Sequence, residues 1–341
     1  MAPGTTSPSS SPAKTSPNST AASNSEDILW KLEPIPGKGK GLVATRDISP
    51  GTLILSDPPL ITTDVIKSVE TTEKDLAQAL KALPKDSQRA YLSLHNNYPG
   101  KNPLSNIVRS NGYPLGPGSN VGGVFANVSR INHSCRPNAK HTWNASLKQQ
   151  TVYAIRSIAA GHELTLSYLQ GGTYDQRQQE LQSFFGFTCT CDLCSKPLTE
   201  RAASDSRIQH AQNLNDAIGD YDACRSSPMR VLADARKLLE LYREEDVIDD
   251  RVPNVYYDLF QVCAMHSDAA RASAFAEEYC ALKRASEGPM STAASEVGLY
   301  VERPERFASW GKTREWMSRM EDVPKRVERW KFERWLWREE K

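Results

Sequence analysis

Asn132-His133-Ser134-Cys135-Arg136-Pro137-Asn138 opens the stretch of sequence that decides the fold, which runs from Arg130 to Cys194. Two further segments follow within it, Glu163-Leu164-Thr165-Leu166-Ser167-Tyr168 and Cys189-Thr190-Cys191-Asp192-Leu193-Cys194. Each segment alone is a weak indication of function. Their order along the chain is what points to one kind of fold.

The third segment concentrates thiols. Cys189, Cys191 and Cys194 are three of the seven cysteines, and they fall within six residues. In a reducing compartment, this clustering favours a metal site over disulfides. A set of incidental thiols is the other alternative, and the clustering disfavours it as well. Structural zinc is four-coordinate, and Cys135 is the candidate for the fourth ligand. The other cysteines are predicted to be small apolar residues of helical core faces: Cys224, Cys263 and Cys280.

Composition limits the classes to which the protein can belong. With 341 residues, of which 39% are hydrophobic and 24% charged, the chain is long enough for two compact domains. The net charge of +1 produces no overall field that favours nucleic acid. No apolar run approaches the roughly 20 residues that span a bilayer, and the N-terminus lacks the apolar core of a signal peptide. We therefore expect a protein of the nucleus and/or cytoplasm that is not secreted.

Residues 1–25 form a Ser/Thr/Pro-rich tail that we expect to be disordered. Residues 1–24 contain 15 Ser, Thr or Pro and a single charged side chain, Lys14. Such a segment buries too little surface to offset the entropy of ordering the chain. A phosphorylated regulatory arm is the alternative to a plain solvated terminus.

A glycine-rich segment, Gly37-Lys38-Gly39-Lys40-Gly41, precedes the first predicted strand at residues 42–46. Alternate glycines permit positive φ and let a ligand approach the backbone closely. We predict that residues 52–55 pair antiparallel with this strand across a turn at Pro50-Gly51. The glycines are not a dinucleotide-binding fingerprint, because no helix follows them. Taken alone they also fit a flexible hairpin.

Hydrophobic periodicity predicts an α+β protein with short strands. Leucines at helical spacing in residues 72–98 predict helices, and alternation at 140–143 and 151–155 predicts a hairpin. Apolar residues recur at helical spacing after residue 198, where Ser227-Pro228 predicts a helix start. The predicted organisation is a β-rich domain at 28–170 with a helical insertion at about 65–120, a zinc-binding segment at 171–197, and an all-α domain at 198–341.

Taken in order, the three segments resemble the C-terminal half of a SET domain and its cysteine-rich post-SET tail. The resemblance covers about residues 28–196, roughly half of the chain. It implies a SET core of the knotted type and transfer of methyl groups from S-adenosylmethionine to lysine in a histone or non-histone protein. The order of domains looks like the SET- and MYND-domain group and related fungal SET proteins. The MYND zinc finger is missing, because no cysteine lies between Gly41 and Asn132.

The resemblance also implies roles for single residues. Tyr168 would be the catalytic residue, with its hydroxyl beside the transferring methyl, and Phe185 would line the channel for the substrate lysine. S-adenosyl-L-methionine would be bound by Lys38, Gly39, Lys40, Asn132, His133, Tyr168 and Phe187. A structural Zn2+ on Cys135, Cys189, Cys191 and Cys194 would tie the post-SET tail to the Cys135 turn. Glu163 is interpreted as structural.

Single residues of this set have plainer interpretations, since a lone histidine or phenylalanine is more often a packed core residue. The ordered set argues against that interpretation for Asn132 and His133, and leaves it open for Lys38 and Phe187. We expect a monomer that binds a lysine-containing segment of a protein substrate, such as a histone, with no membrane partner and no direct nucleic-acid partner.

Two other classes of function remain as alternatives. A catalytically inactive SET-domain scaffold would have no need of Asn132, His133 and Tyr168 together, and cofactor binding separates it from an enzyme. Binding of single-stranded nucleic acid would use the C-terminal region, where five of the seven tryptophans fall in the last 32 residues. The near-zero net charge disfavours it, and we predict these tryptophans as core anchors of a terminal helix, with Val327, Trp330 and Trp337 on one face.

Overall fold

The computed structural model describes residues 28–339, so the predicted disordered tail at residues 1–25 lies outside the described residues. The first element is a hairpin in which β1 (Trp30–Ile35) pairs antiparallel with β2 (Gly39–Ala44). Gly37 and Gly39 adopt φ angles of +73° and +76°, which let the chain reverse within residues 36–38. The predicted glycine loop is therefore partly strand, because β2 already begins at Gly39.

The predicted pairing across Pro50-Gly51 is wrong. β3 (Leu53–Asp57) pairs antiparallel with β9 (Gln149–Ala154) and not with β2. The second edge of β2 is already occupied, because residues 162–164 bond to it through the backbone. A Pro-Gly turn indicates where the chain reverses, but not which strand edge is free to accept the returning segment.

Short strands form small sheets in this part of the chain. β9 lies at the centre of one three-stranded sheet, between β3 and β8 (Ala139–Asn144). The centre of another is β6 (Gly122–Phe125), which lies between β4 (Pro59–Thr62) and β5 (Gly112–Pro114). The antiparallel β8–β9 hairpin confirms the alternation predicted at residues 140–143 and 151–155.

Three helices lie within residues 65–120, a segment that we call the insertion: α1 (Thr72–Ala82), α2 (Lys85–Leu92) and α3 (Pro103–Asn111). Leu76, Leu80 and Tyr91 are buried in a small core of their own beside β6. Helix is therefore present where the leucine spacing predicts it. Leu92, the last residue of α2, is exposed and does not join this core.

A short parallel pair brings two of the sequence motifs side by side. β7 (Asn132–His133) pairs with β10 (Thr165–Leu166), so that Asn132 lies opposite Thr165 and His133 opposite Leu166. The Asn138 side chain holds the segment after β7 against the start of β10. It donates to the carbonyl of Glu163 and accepts from the amide of Thr165, both at 2.8 Å. The polar motif residues are thus anchored on the buried β core.

Helices make up most of the chain after the strands. α4 (Tyr174–Phe185) begins with a capping box between Thr173 and Gln176 and ends at Gly186, which has a φ of +72°. The later helices are α5 (Leu198–Ile218), α6 (Tyr221–Ser226), α7 (Pro228–Glu244), α8 (Arg251–Met265), α9 (Ala269–Glu287), α10 (Thr292–Glu302) and α11 (Arg329–Leu336). Their shared core buries Cys224, Cys263 and Cys280, as predicted. The α+β class is confirmed. None of the helices in residues 28–339 has the length and apolar content needed to cross a bilayer.

Ion pairs join the helical region to the strands. Lys140 of β8 donates to Asp250 and Glu287, and Lys283 of α9 reaches the same two carboxylates. Arg156 makes two bonds of 2.7 Å to the carboxylate of Asp246. The side chains of Lys140 and Glu287 are largely buried at this interface, and their pairing compensates charges that would be costly to bury alone. The complementary charges thus help to specify how the helices lie against the strands that carry the motifs.

The predicted apolar face of the terminal helix is wrong. Trp335 and Trp337 are buried, whereas Trp330 and Val327 are 54% and 41% exposed. α11 begins only at Arg329, so Val327 precedes it and cannot share a helical face with the later tryptophans.

Candidate active site and metal centre

Tyr168 lies two residues beyond the end of β10, and its hydroxyl and its amide N–H are both hydrogen-bonded. Its hydroxyl donates to the carbonyl of Ile131 at 2.7 Å, and its amide N–H donates to Nδ1 of His133 at 3.1 Å. Burial holds the pKa of Tyr168 well above its ordinary value of 10. The hydroxyl is therefore neutral at physiological pH. Its proton is used in the hydrogen bond to Ile131, and its oxygen retains lone pairs that can accept another hydrogen bond.

Two phenylalanines complete an aromatic cluster around Tyr168. Phe185 is the last residue of α4, and its ring centroid lies 4.8 Å from that of Tyr168. Phe187 follows the Gly186 turn and lies 6.1 Å from the ring of His133 and 6.5 Å from that of Tyr168. The structure thus brings the predicted channel residue, Phe185, and the predicted cofactor ligand, Phe187, to the predicted catalytic tyrosine.

His133 links this cluster to the cysteines. The side chain is buried, and burial lowers the pKa of His133 to about 4, so the ring is neutral at pH 7. Nδ1 accepts from Tyr168, which leaves the ring proton on Nε2. Nε2 lies 3.3 Å from Sγ of Cys135, so His133 donates to that sulfur.

Lys38 and Asn132 both bind the carboxylate of Glu163, and Asn132 also reaches the backbone of Lys40. Nζ of Lys38 lies 2.7 Å from Oε2, and Nδ2 of Asn132 donates to Oε1 at 2.8 Å and approaches the carbonyl of Lys40 at 3.3 Å. A Cβ atom at Gly41 would lie 2.7 Å from Nδ2 of Asn132 and 2.9 Å from Oε1 of Glu163. Only glycine fits at this position without displacing these polar groups.

The four predicted metal ligands form one compact cluster. The sulfur atoms of Cys135, Cys189, Cys191 and Cys194 all lie within 4.8 Å of one another. Sγ of Cys135 is 3.9 Å from that of Cys189 and 3.6 Å from that of Cys194. A tetrahedral zinc site with Zn–S bonds of about 2.3 Å requires S···S distances of about 3.8 Å. The donor set and its spacing therefore fit a zinc ion.

Helix α4 holds this cysteine loop in place. The Gln178 side chain donates to the carbonyl of Cys189 at 2.9 Å and accepts from its amide at 2.8 Å. The two bonds replace the backbone partners that a loop otherwise lacks.

The sequence analysis misses two residues of this region, Arg177 and Tyr98, and it predicts Glu163 only as structural. Glu163 carries a usable signal, because it is a carboxylate in the same motif as Tyr168 and the glycine-rich segment offers two lysines to pair with it. Arg177 and Tyr98 give none, since their contacts depend on how α4 packs against distant segments.

Comparisons with known proteins agree with this arrangement. Residues 39–169 match a protein-family model described as SET domain. The histone-lysine N-methyltransferase set5 of Schizosaccharomyces pombe (strain 972 / ATCC 24843) is 32% identical over 286 residues, which cover 83% of this chain and 86% of that protein. The histone-lysine N-methyltransferase SET5 of Scheffersomyces stipitis is 38% identical over 125 residues, or 33% of this chain and 26% of that protein. The histone-lysine N-methyltransferase SMYD3 of Mus musculus is 36% identical over 73 residues, or 21% of this chain and 17% of that protein.

Proposed function

This chain belongs to the SET-domain family, and on that basis we propose that it transfers a methyl group from S-adenosylmethionine to the ε-amine of a lysine in a protein. The observation that carries the proposal is the parallel pairing of β7 with β10, which places Asn132 and His133 beside the segment that ends in Tyr168. The similarity to a fungal relative extends through the helical region as well, since it covers 83% of the chain. The protein is a protein-lysine N-methyltransferase.

We assign the methyl donor to the surface between the β1–β2 turn, β7 and the segment after α4. Its proposed ligands are Lys38, Gly39, Lys40, Asn132, His133, Tyr168 and Phe187. Lys38 offers a cation for a carboxylate, Asn132 an amide for the amino-acid end, and Phe187 a ring for a purine. An added Cβ at Gly37 or Gly39 would meet nothing within 4 Å, so the backbone of the turn is open to close approach.

Bound S-adenosylmethionine supplies an electrophilic methyl group on its sulfonium. Tyr168 would orient the lysine amine towards that group, because the tyrosine oxygen keeps lone pairs free to accept an N–H hydrogen bond from the amine. The same lone pairs would favour the positive charge that the methyl carries in the transition state. Phe185 and Phe187 keep water out of the channel, and their apolar surfaces favour the neutral amine, whose conjugate acid has a pKa of about 10.4 in water. Tyr168 does not serve as the base, because burial raises its pKa further.

We propose that Cys135, Cys189, Cys191 and Cys194 bind Zn2+ in a structural role. All four ligands come from the protein, which leaves no coordination position for water or substrate. The ion would tie residues 189–194 to the turn at Cys135 and thereby fix Phe187 relative to His133.

We propose a histone as the substrate protein, because the relatives that match are named as histone-lysine N-methyltransferases. We further propose that the protein acts as a monomer in the nucleus and/or cytoplasm. The proposed division of labour is a catalytic unit at residues 28–170, a zinc segment at 171–197 and a helical domain at 198–341.

The proposal is tested by calorimetric titration of the purified protein with S-adenosylmethionine, followed by transfer of labelled methyl to core histones. We expect micromolar binding that His133→Ala loses and that His210→Ala, a change at an exposed histidine of α5, retains. A folded, zinc-loaded protein that binds no S-adenosylmethionine would favour the scaffold alternative. Transfer to other proteins but not to histones would contradict the histone substrate alone.

A further inference from the structure

Arg177 is a buried cation in the first turn of α4, and only 4% of its surface is exposed. Its Nη1 donates to the carbonyl of Gly172, and its Nη2 lies 3.8 Å from Sγ of Cys194. Its Nε is buried and has no hydrogen-bond partner among residues 28–339. None of the steps of methyl transfer described above uses this side chain.

The charge of Arg177 lacks a conventional partner. In the described part of the chain its guanidinium forms no ion pair with a carboxylate, and its one hydrogen bond to an ionisable side chain is to Sγ of Cys194. Arg251 and the neutral His133 also lie close enough to interact with its charge, and neither supplies a negative charge. Arginine is almost never fully buried without a counter-charge, because removing an isolated cation from water is very costly. Four neutral thiols would not supply that counter-charge.

We infer that Arg177 is the counter-charge of a tetrathiolate metal centre formed by the four cysteines. Metal binding requires deprotonated thiols, and four thiolates around a divalent ion keep a net double negative charge. Cys189 and Cys194 are themselves 6% and 5% exposed, so water screens that charge poorly. A single guanidinium at this position lowers the net charge of the buried centre. This inference rests on the zinc site proposed above.

The same guanidinium connects the metal centre to the segment that follows Tyr168. Gly172 adopts a φ of +103°, a conformation that favours glycine, and a Cβ atom there would lie 3.1 Å from Oε1 of Gln176. A larger residue would therefore be strained at this position. Arg177 stabilises this backbone conformation by donating from Nη1 to the Gly172 carbonyl, and its Nη2 faces Cys194. Arg177 is therefore a positioning residue for both the cysteine loop and the start of α4.

The test measures zinc affinity of the full-length chain by competition with a chromophoric chelator. Arg177→Met removes the charge at similar volume, Arg177→Gln removes it but retains N–H donors, and Arg177→Lys retains it. Arg201→Met is the matched control, because Arg201 also has a buried Nε without a partner but packs over the ring of Tyr174 at 4.1 Å.

We expect about a 10-fold or greater loss of zinc affinity in both neutral variants, a smaller change of about 3-fold in Arg177→Lys, and no change in Arg201→Met. Either neutral variant suffices if the other does not fold, as judged by far-UV circular dichroism at saturating zinc. Wild-type affinity in a folded neutral variant would overturn the inference, as would a loss in Arg177→Lys equal to that in Arg177→Met. Wild-type protein that binds no zinc would instead refute the metal site itself.

Discussion

The amide of Tyr168 donates to Nδ1 of His133 at 3.1 Å, and this bond determines which ring nitrogen carries the proton. Since Nδ1 accepts, Nε2 donates, and it lies 3.3 Å from Sγ of Cys135. One neutral histidine therefore connects the proposed catalytic residue to a proposed zinc ligand. The transfer site and the metal centre form one structural unit, so damage to either is expected to affect the other.

Tyr168→Phe is expected to lower kcat by about 100-fold or more while the affinity for S-adenosylmethionine changes by no more than a few-fold. The substitution removes the oxygen that orients the amine and keeps the ring that packs on Phe185. Labelled-methyl transfer at saturating donor measures kcat, and calorimetry measures affinity. Tyr221→Phe, at an exposed tyrosine of α6, is the control. Unchanged activity would show that Tyr168 is not the central residue.

Glu163→Gln is expected to weaken binding of S-adenosylmethionine by about 10-fold, because the carboxylate holds both Lys38 and Asn132 in place and provides negative charge beside a cationic ligand. Calorimetric titration measures the change. Glu33→Gln is the matched control, since Glu33 lies on β1 and pairs with Lys31 at the surface. Equal affinity of Glu163→Gln and wild type would return Glu163 to a purely structural role.

The sequence predicts elements well where a local pattern determines them. The β8–β9 hairpin, the helix start at Ser227-Pro228 and the clustering of Cys189, Cys191 and Cys194 all follow from spacing and residue type. The partner of β2 does not follow from them, because the choice between β1 and β3 depends on which strand edge is free in three dimensions.

The same limit explains which site residues sequence reasoning misses. A buried arginine such as Arg177 looks like any exposed arginine of a helix until its neighbours are known. The paired role of Glu163 likewise depends on a contact across 125 residues of chain with Lys38. Motif order predicts the central residues of the site, whereas tertiary packing supplies the side chains around them.

Cys191→Ser is expected to abolish stoichiometric zinc and to lower the thermal stability of the protein, because a structural zinc site contributes its binding free energy to folding. Elemental analysis of the purified protein measures the metal content. Cys280→Ser is the matched control, since Cys280 is buried in the helical core and its Sγ donates to the carbonyl of Ala294, a bond that a serine hydroxyl can replace. One zinc per chain in Cys191→Ser would contradict the four-cysteine site.

His141 gives the folded protein a pH dependence. Its Nδ1 accepts from Gln150, its ring packs edge-on against Tyr113 at 4.7 Å, and burial lowers the pKa of His141 to about 4. The unfolded chain, with a histidine pKa of about 6.5, binds more protons between pH 6.5 and 4. The free energy of unfolding is therefore highest above pH 6.5 and falls through this window, by at most about 3 kcal/mol.

Urea unfolding of wild type and His141→Gln at several pH values measures this contribution. Zinc release at low pH affects both proteins equally. The difference between their curves of unfolding free energy against pH therefore gives the contribution of His141. The loss of stability on acidification is expected to be smaller in His141→Gln. Parallel curves for the two proteins would show that His141 does not contribute.

Tyr98 connects the insertion to the end of α4. Its hydroxyl donates to the carbonyl of Phe184 at 2.9 Å, and the guanidinium of Arg109 lies 3.7 Å from its ring centroid. The last carbonyls of a helix lack partners within the helix, so this bond caps α4 from a distant segment. Among residues 28–339 it is the hydrogen bond that joins residues 65–120 to residues 171–197. The next residue, Phe185, packs on Tyr168, so the contact fixes one wall of the proposed lysine channel.

Tyr98→Phe is expected to raise KM for a lysine peptide by about 3- to 10-fold, because the loss of one hydrogen bond, worth about 1 kcal/mol, loosens Phe185. Affinity for S-adenosylmethionine and zinc content should not change. Tyr91→Phe is the matched control, since Tyr91 donates to the carbonyl of Leu104 at the same distance of 2.9 Å but entirely within the insertion. It should lower stability without changing KM. Equal rises in KM for both variants would mean that general loosening of the insertion, and not the contact with α4, controls access to the channel.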